Sequence, residues 1–327
     1  MSHPTLCTSR SAVAQLALLC CTVIASACRP AASADANRAR TDRAPQPAPQ
    51  TDVAPPRLVT IGGAITETVF ALGLGPAVVG VDTSSVFPVQ ATRLPQVGYQ
   101  RTLSAEGVLA LRPTRVLAAE EAGPPHALTQ LRSAGIAVEI IAAPHSIAGA
   151  REKIRTLARL LDVPAHGAQL IRQLDDDLAH APAPAHRPRV LALYARSTTT
   201  LLVAGHDTPF DAMLQLAGAE NAAATLRGFR PYSAEALVAA RPDALLLTDR
   251  GAASLGGPSG LRTLPGLATS ESAPSPALVT LDDLLLLGFG PRTGQAIAAL
   301  RRKLAALPVA RTPTTTAATH TVAEARP

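Results

Sequence analysis

Tryptophan is absent from this chain of 327 residues, and Tyr and Phe number only three and five. Any core must therefore be built from Leu, Val, Ile and Ala, and each aromatic is rare enough to be weighed singly. Lysine occurs only at Lys153 and Lys303, so arginines carry the formal net charge of +6. They are scattered, with no basic run or aromatic ladder, and the usual footprint of a nucleic-acid binder is missing. The four cysteines, Cys7, Cys20, Cys21 and Cys28, all lie in the first 28 residues. Once such a leader is removed, disulfides, thiolate metal sites and a cysteine nucleophile are excluded. There is also no Walker loop, Gly-x-Ser-x-Gly elbow or HExxH helix. The glycines of "GLGPAVVG" (Gly73–Gly80) close a helix and precede a strand, the reverse of a dinucleotide phosphate loop.

What is present begins with an export signal. Arg10 is followed by an apolar stretch and then by the small residues Ala25 and Ala27. The stretch is shorter than the ~20 residues a membrane span needs. "ASAC" has two readings: ordinary signal cleavage after Ala27, or a weak lipobox that makes Cys28 a lipidated first residue and a membrane tether. Both stay open. Residues 29–56 and 309–327 are dominated by Ala, Pro, Thr and charge without apolar periodicity, and read as a disordered tether and tail.

Between them the pattern is α/β. "RLVTIGG", "AVVGVD", "RVLAAE" and "AVEIIA" are short apolar runs separated by helical segments. Continuous apolar strands alternating with helices predict parallel sheets covered on both faces. A helical stretch follows over 146–182, interrupted at Pro164, and "RPRVLALYA" starts the alternation again. The expected architecture is two Rossmann-like lobes, 57–145 and 183–308, joined by a helical connector, with a ligand cleft between them. A short segment recurs in both lobes: Ser104, Glu106, Arg112 and Pro113 return as Ser233, Glu235, Arg241 and Pro242, each 129 residues later. Each glutamate sits on the first turn of a helix that a serine can cap. The pair is either two favourable helix starts or two docking points, one per lobe, for a partner with two-fold symmetry.

The stretches "RLVTIGGAITETVFALG", "LPQVGYQRTLSAEGVLALRP", "SAEALVAARPDALLL" and "LLLLGFGPRTGQAI" resemble the periplasmic binding proteins that feed ABC importers of iron compounds. Among these the chain is most similar to the haem (hemin) binding proteins. The likeness runs from Arg57 to about Leu307. It implies a periplasmic, non-enzymatic carrier with a rigid connector and slight lobe movement. It further implies a haem cargo and docking on an inner-membrane ABC permease dimer through Glu106 and Glu235. A monomer is expected.

In that family the tyrosine of the "VGY" block takes the iron; here it is Tyr99. Phenolate suits ferric haem, and Arg101, two positions on in an extended loop, could supply a cation that favours the phenolate. His206 follows a strand of the second lobe and is a candidate second axial ligand; His126 and His145 are weaker ones. Arg292 of "GFGPR" is a candidate for a haem propionate and Tyr232 for flanking the ring. Phe229 stands where relatives often carry a tyrosine, so a second tyrosinate is excluded there. The rival cargoes are cobalamin and ferric siderophores. An exported enzyme or a bare metal-ion carrier would need convergent ligands that the dispersed histidines do not supply.

Overall fold

The computed structural model describes residues 55–180, 186–197, 200–266 and 276–308. The expected leader with Cys28, most of the tether, and the tail fall outside the described residues.

The first lobe runs β1 (Leu58–Ile61), α1 (Gly63–Ala71), β2 (Val78–Val81), α2 (Ala105–Ala110), β3 (Arg115–Ala119), α3 (Pro125–Ser133) and β4 (Ala137–Ile141). Its sheet has the order β2-β1-β3-β4, and every pairing is parallel. All four residues of β1 are buried because helices cover both faces. Val59 and Ile61 pack with Val108 and Leu128 on one side, while Leu58 packs with Ile65, Val69 and Leu157 on the other.

The expected connector is two helices, α4 (Ile147–Leu160) and α5 (Pro164–Ala179). Ser146 caps α4, its Oγ accepting from Gly149 N at 3.0 Å. Proline occupies the first turn of α5, where its missing N–H costs nothing. Helix α5, about 24 Å long at 1.5 Å per residue, bridges the lobes: Leu170 joins the first lobe's core and Leu178 the second's.

The second lobe comprises β5 (Arg189–Ser197), β6 (Thr200–Ala204), α6 (Pro209–Ala217), β7 (Glu220–Asn221), β8 (Phe229–Pro231), α7 (Ala234–Ala240) and β9 (Ala244–Thr248). It ends with α8 (Asp249–Ser254), α9 (Gly257–Leu261), β10 (Ala277–Leu281), α10 (Asp283–Leu287) and α11 (Thr293–Ala305). The order is β10-β9-β5-β6-β8, with β7 also on β5. Here the expectation of a wholly parallel sheet needs correcting. Strands β10, β9 and β5 are parallel, but β6 turns back antiparallel to β5 and β8 is antiparallel to β6. The chain passes directly from β5 to β6 with no crossover helix, and so short a connection can only reverse direction.

Loops beyond the carboxyl ends of β1, β4 and β10 bring the lobes together. Leu284 of α10 lies so close to Gly63 that a methyl on that glycine would stand 2.8 Å from its Cδ1. Lys153 Nζ on α4 donates to the carbonyls of Gly288 and Phe289 at 2.9 and 3.1 Å. Phe289, 1% exposed, has a left-handed φ of 46°, and its carbonyl is one of the two that Lys153 holds. Burial pushes the Lys153 pKa down to about 8, against the upward pull of Glu121 and Glu67. Arg292 and Glu67 complete the seam.

Candidate functional site

The repeated segment is the same structure twice. Ser104 Oγ accepts from Gly107 N at 3.4 Å, and Ser233 Oγ accepts from Ala236 N at 3.1 Å. Each cap starts a helix whose first turn presents an exposed glutamate, Glu106 or Glu235. Arg112 and Arg241, which follow those helices, are both left-handed, with φ of 48° and 41°. A proline then leads into β3 or β9. Helix α2 follows the carboxyl end of β2, and α7 follows β8, which runs parallel to β5. Both acidic helix heads therefore stand on the edges from which the lobes face each other.

Tyr99 lies on that edge in the first lobe. Residues 95–98 continue alongside the end of β2: Val81 N donates to Pro95 O at 3.0 Å, Val97 N to Val81 O at 2.9 Å, and Thr83 N to Gly98 O at 2.9 Å. Gly98 has a φ of 100°, which a side chain would resist, and this permits the sharp exit into Tyr99. The loop is also tied to the end of β3, with Gly123 N donating to Gln100 O at 2.8 Å and Leu103 N to Gly123 O at 2.9 Å. Tyr99 is half-buried at this mouth. The extended geometry expected for Tyr99 and Arg101 is replaced by a turn, closed by Thr102 N on Tyr99 O at 2.8 Å. Arg101 is exposed at the turn's third position, so alternation along a strand no longer places it beside the phenol.

His206 is not at the mouth. Because β6 runs against β5, Val203 lies opposite Leu193, and the end of β6 is level with the beginning of β5. Asn221, paired with Val190, reaches Ala204 O at 3.1 Å and confirms the level. At about 3.3 Å per residue, His206, level with Val190, stands roughly 13 Å below the level at which β9 and β10 end. There Nδ1 meets Asp207 Oδ2 at 3.2 Å, and the same oxygen accepts from Arg227 Nε at 3.1 Å. The expected second axial ligand thus lies toward the amino end of the sheet and not at its carboxyl edge.

Arg292 has a partner already. Its guanidinium forks onto Glu67, Nε to Oε1 at 2.8 Å and Nη2 to Oε2 at 3.0 Å, and lies 3.6 Å from the Phe87 ring centroid. Glu67 is only 4% exposed. This fork joins the lobes through Nε and one N–H of Nη2, and the two N–H groups of Nη1 take no part in it. Tyr232 is at the mouth, its N donating to Leu201 O at 3.1 Å, but its hydroxyl donates to Pro265 O at 2.5 Å. Burial raises the Tyr232 pKa, which suits a neutral donor and opposes a phenolate.

The other candidates fall in place around this geometry. His126 is exposed on the first turn of α3. His145 packs edge-on against Phe289, with centroids 5.2 Å apart; desolvation lowers its pKa and Lys153 adds to this, against Glu121 and Glu120. Phe229 is 40% exposed and rests on Tyr194 and Phe210, at 5.5 and 6.4 Å between ring centroids. A groove of about 730 Å³ between α1, α5 and α11 is floored by Phe70, Phe87, Leu94 and Leu170, but neither Tyr99 nor His206 lines it. The groove lies on the α1 side of the first sheet, whereas the Tyr99 loop is anchored by Val97 and Leu103 on the α2–α3 side. Among the described residues no cluster of His, Cys, Asp and Glu could hold a metal ion.

Two lobes facing across the carboxyl ends of their strands, joined by a helical strut, define a binding protein. The chain belongs to the periplasmic binding protein family, which matches residues 58–283. No described helix is long and apolar enough to cross a membrane.

Among solved structures, it is 44% identical to the periplasmic haem-binding protein RhuT from Roseiflexus sp. RS-1, with a TM-score of 0.72 over 76% of this chain and 98% of that one. The periplasmic haem-binding protein BhuT, solved with two haems, gives 44% identity and a TM-score of 0.71 over the same shares. The ABC transporter substrate-binding lipoprotein YvrC of Bacillus subtilis is 29% identical over 60% of this chain and 64% of its own length. A cobalamin-binding protein of Halobacterium salinarum is 32% identical over 66% of this chain and 62% of its own. The chain thus spans less than two thirds of the length of these two curated relatives.

Three contributors escaped the sequence reading: Asp82, Lys153 and Glu67. The signal for Asp82 was available, since an acid directly ending an apolar strand and followed by "TSS" has hydroxyls and amides at hand. Nothing local marks Glu67, whose partner is 225 positions away.

Proposed function

We propose that this protein captures ferric haem between its lobes, with Tyr99 on the iron, and hands it to an ABC permease of the inner membrane. The observation that carries this reading is the Tyr99 loop: a phenol on a glycine pivot, held at the carboxyl edge that faces the second lobe. A hard ferric ion in a porphyrin is suited to such an oxygen. The 44% identity to RhuT and BhuT supports haem as the cargo. His206 has no part in it, since it lies away from the mouth. Cobalamin is the second reading, favoured by the likeness to the halobacterial protein. Titration of the purified protein with hemin should shift the Soret band saturably, while equilibrium dialysis with cobalamin shows no retention. Saturable cobalamin retention without a hemin shift would reverse the assignment.

Glu106 and Glu235 are the proposed docking points. Their exposure and matched caps support this role. Glu106→Lys with Glu235→Lys is expected to leave the hemin titration unchanged and to abolish stimulation of the reconstituted permease's ATPase. Undiminished stimulation would show that docking uses other residues. Export by a leader ending near Ala27, with a lipid on Cys28 or none, fits such a carrier; the mass of the mature N-terminus decides between the two ends.

A further inference from the structure

The segment between β2 and α2 has, within it, only one short 3-10 turn at Ala91–Arg93, yet it must hold Tyr99 in a fixed place. Asp82, 0% exposed, stands at its root. One carboxylate oxygen accepts from Gly62 N at 2.8 Å and Ser85 Oγ at 2.7 Å, and the other accepts from Ser84 N at 2.9 Å. A hydroxyl has a single proton, and that of Ser85 goes to Asp82. Ser85 must then accept from Thr66, 2.6 Å away, and Thr66 from Thr60 at 2.8 Å. The whole buried hydroxyl chain therefore ends on this carboxylate.

The residues on either side of Tyr99 rest on groups that Asp82 fixes. Gly98 O accepts from Thr83, the next residue along from Asp82. Gln100 lies over Gly62, where a methyl group would come within 3.3 Å of Oε1. We infer that Asp82 is the positioning residue of Tyr99: it touches no ligand, but its three hydrogen bonds set the loop that aims the phenol. The inference rests on the reading of Tyr99 as the iron ligand.

Asp82→Asn keeps the shape but replaces one acceptor oxygen by an amide nitrogen, so at least one of three donors faces another donor. Asp211→Asn is the matched control. Asp211 is likewise buried, 6% exposed, and accepts from Asn221 and Gln215 in the second lobe, away from Tyr99. Both variants are expected to lower the unfolding midpoint. Only Asp82→Asn should shift the tyrosinate-to-iron band and weaken hemin binding about 10- to 100-fold, the usual cost of losing the group that orients a metal ligand. Hydrogen exchange over residues 95–103 should be faster in Asp82→Asn without hemin, and unchanged in Asp211→Asn.

Wild-type exchange over 95–103 in Asp82→Asn, or a hemin spectrum altered equally by both variants, overturns the inference. If the wild-type protein binds no hemin, the haem reading fails, and the exchange measurement still decides whether Asp82 holds the loop. Should Asp82→Asn not fold, Ser85→Ala removes one donor only and should give a smaller increase in the same exchange; no increase again overturns the inference.

Discussion

Replacing Tyr99 with Phe is expected to abolish the phenolate-to-iron charge-transfer band of the hemin complex and to leave the fold unchanged. The phenyl ring keeps the packing of a half-buried side chain, so the missing oxygen is isolated as the cause. A free phenol has a pKa near ~10, and the metal must supply most of the energy that removes its proton. Losing that bond should cost hemin affinity about tenfold or more, each tenfold being ~1.4 kcal/mol. Tyr99→Ala should lose packing as well and bind still more weakly. Absorbance and resonance Raman spectra of the two variants provide the check. A charge-transfer band surviving in Tyr99→Phe would transfer the iron to another residue.

The second large effect is on stability. Removing the guanidinium in Arg292→Ala takes from buried Glu67 the cation that forks onto it, leaving only the weaker pull of Lys153, and uncovers Phe87. Breaking a buried pair from one side costs about 3–5 kcal/mol. Removing both charges, as in Glu67→Gln with Arg292→Met, should recover most of this loss, because the penalty comes from the stranded charge. The exposed pair of Arg155 and Glu152, 53% and 49% exposed, is the contrast. Arg155→Ala should change stability by less than ~0.5 kcal/mol, as exposed helix pairs do. Urea denaturation of the four proteins decides the matter; equal losses in Arg292→Ala and Arg155→Ala would mean that the seam bears no load.

How much could be seen in advance depended on whether a feature is local. The strand LVTI is apolar throughout and lies in a parallel sheet covered on both faces. Ser104, Ser146 and Ser233 cap the helices they precede, because capping is decided within three residues. Direction is a different matter. "RVLALYA" and "TLLVA" both read as strands, but hydrophobicity has no arrow, and the reversal of β6 carried His206 to the wrong end. Spacing misled in the same way at Arg101, where alternation assumes an extended backbone and Tyr99–Thr102 is a turn. Arg292 was read as a partner for a propionate or as a support for the helix start, and the carboxylate it meets is Glu67 of the other lobe, 225 positions away.

The contacts of Lys153, Leu284 and Arg292 run along one margin between the two sheets and fasten it shut. On the haem reading, the cargo comes and goes past the other margin, where Tyr99 stands. A transporter needs only to prise the free margin, with the fastened one serving as the pivot.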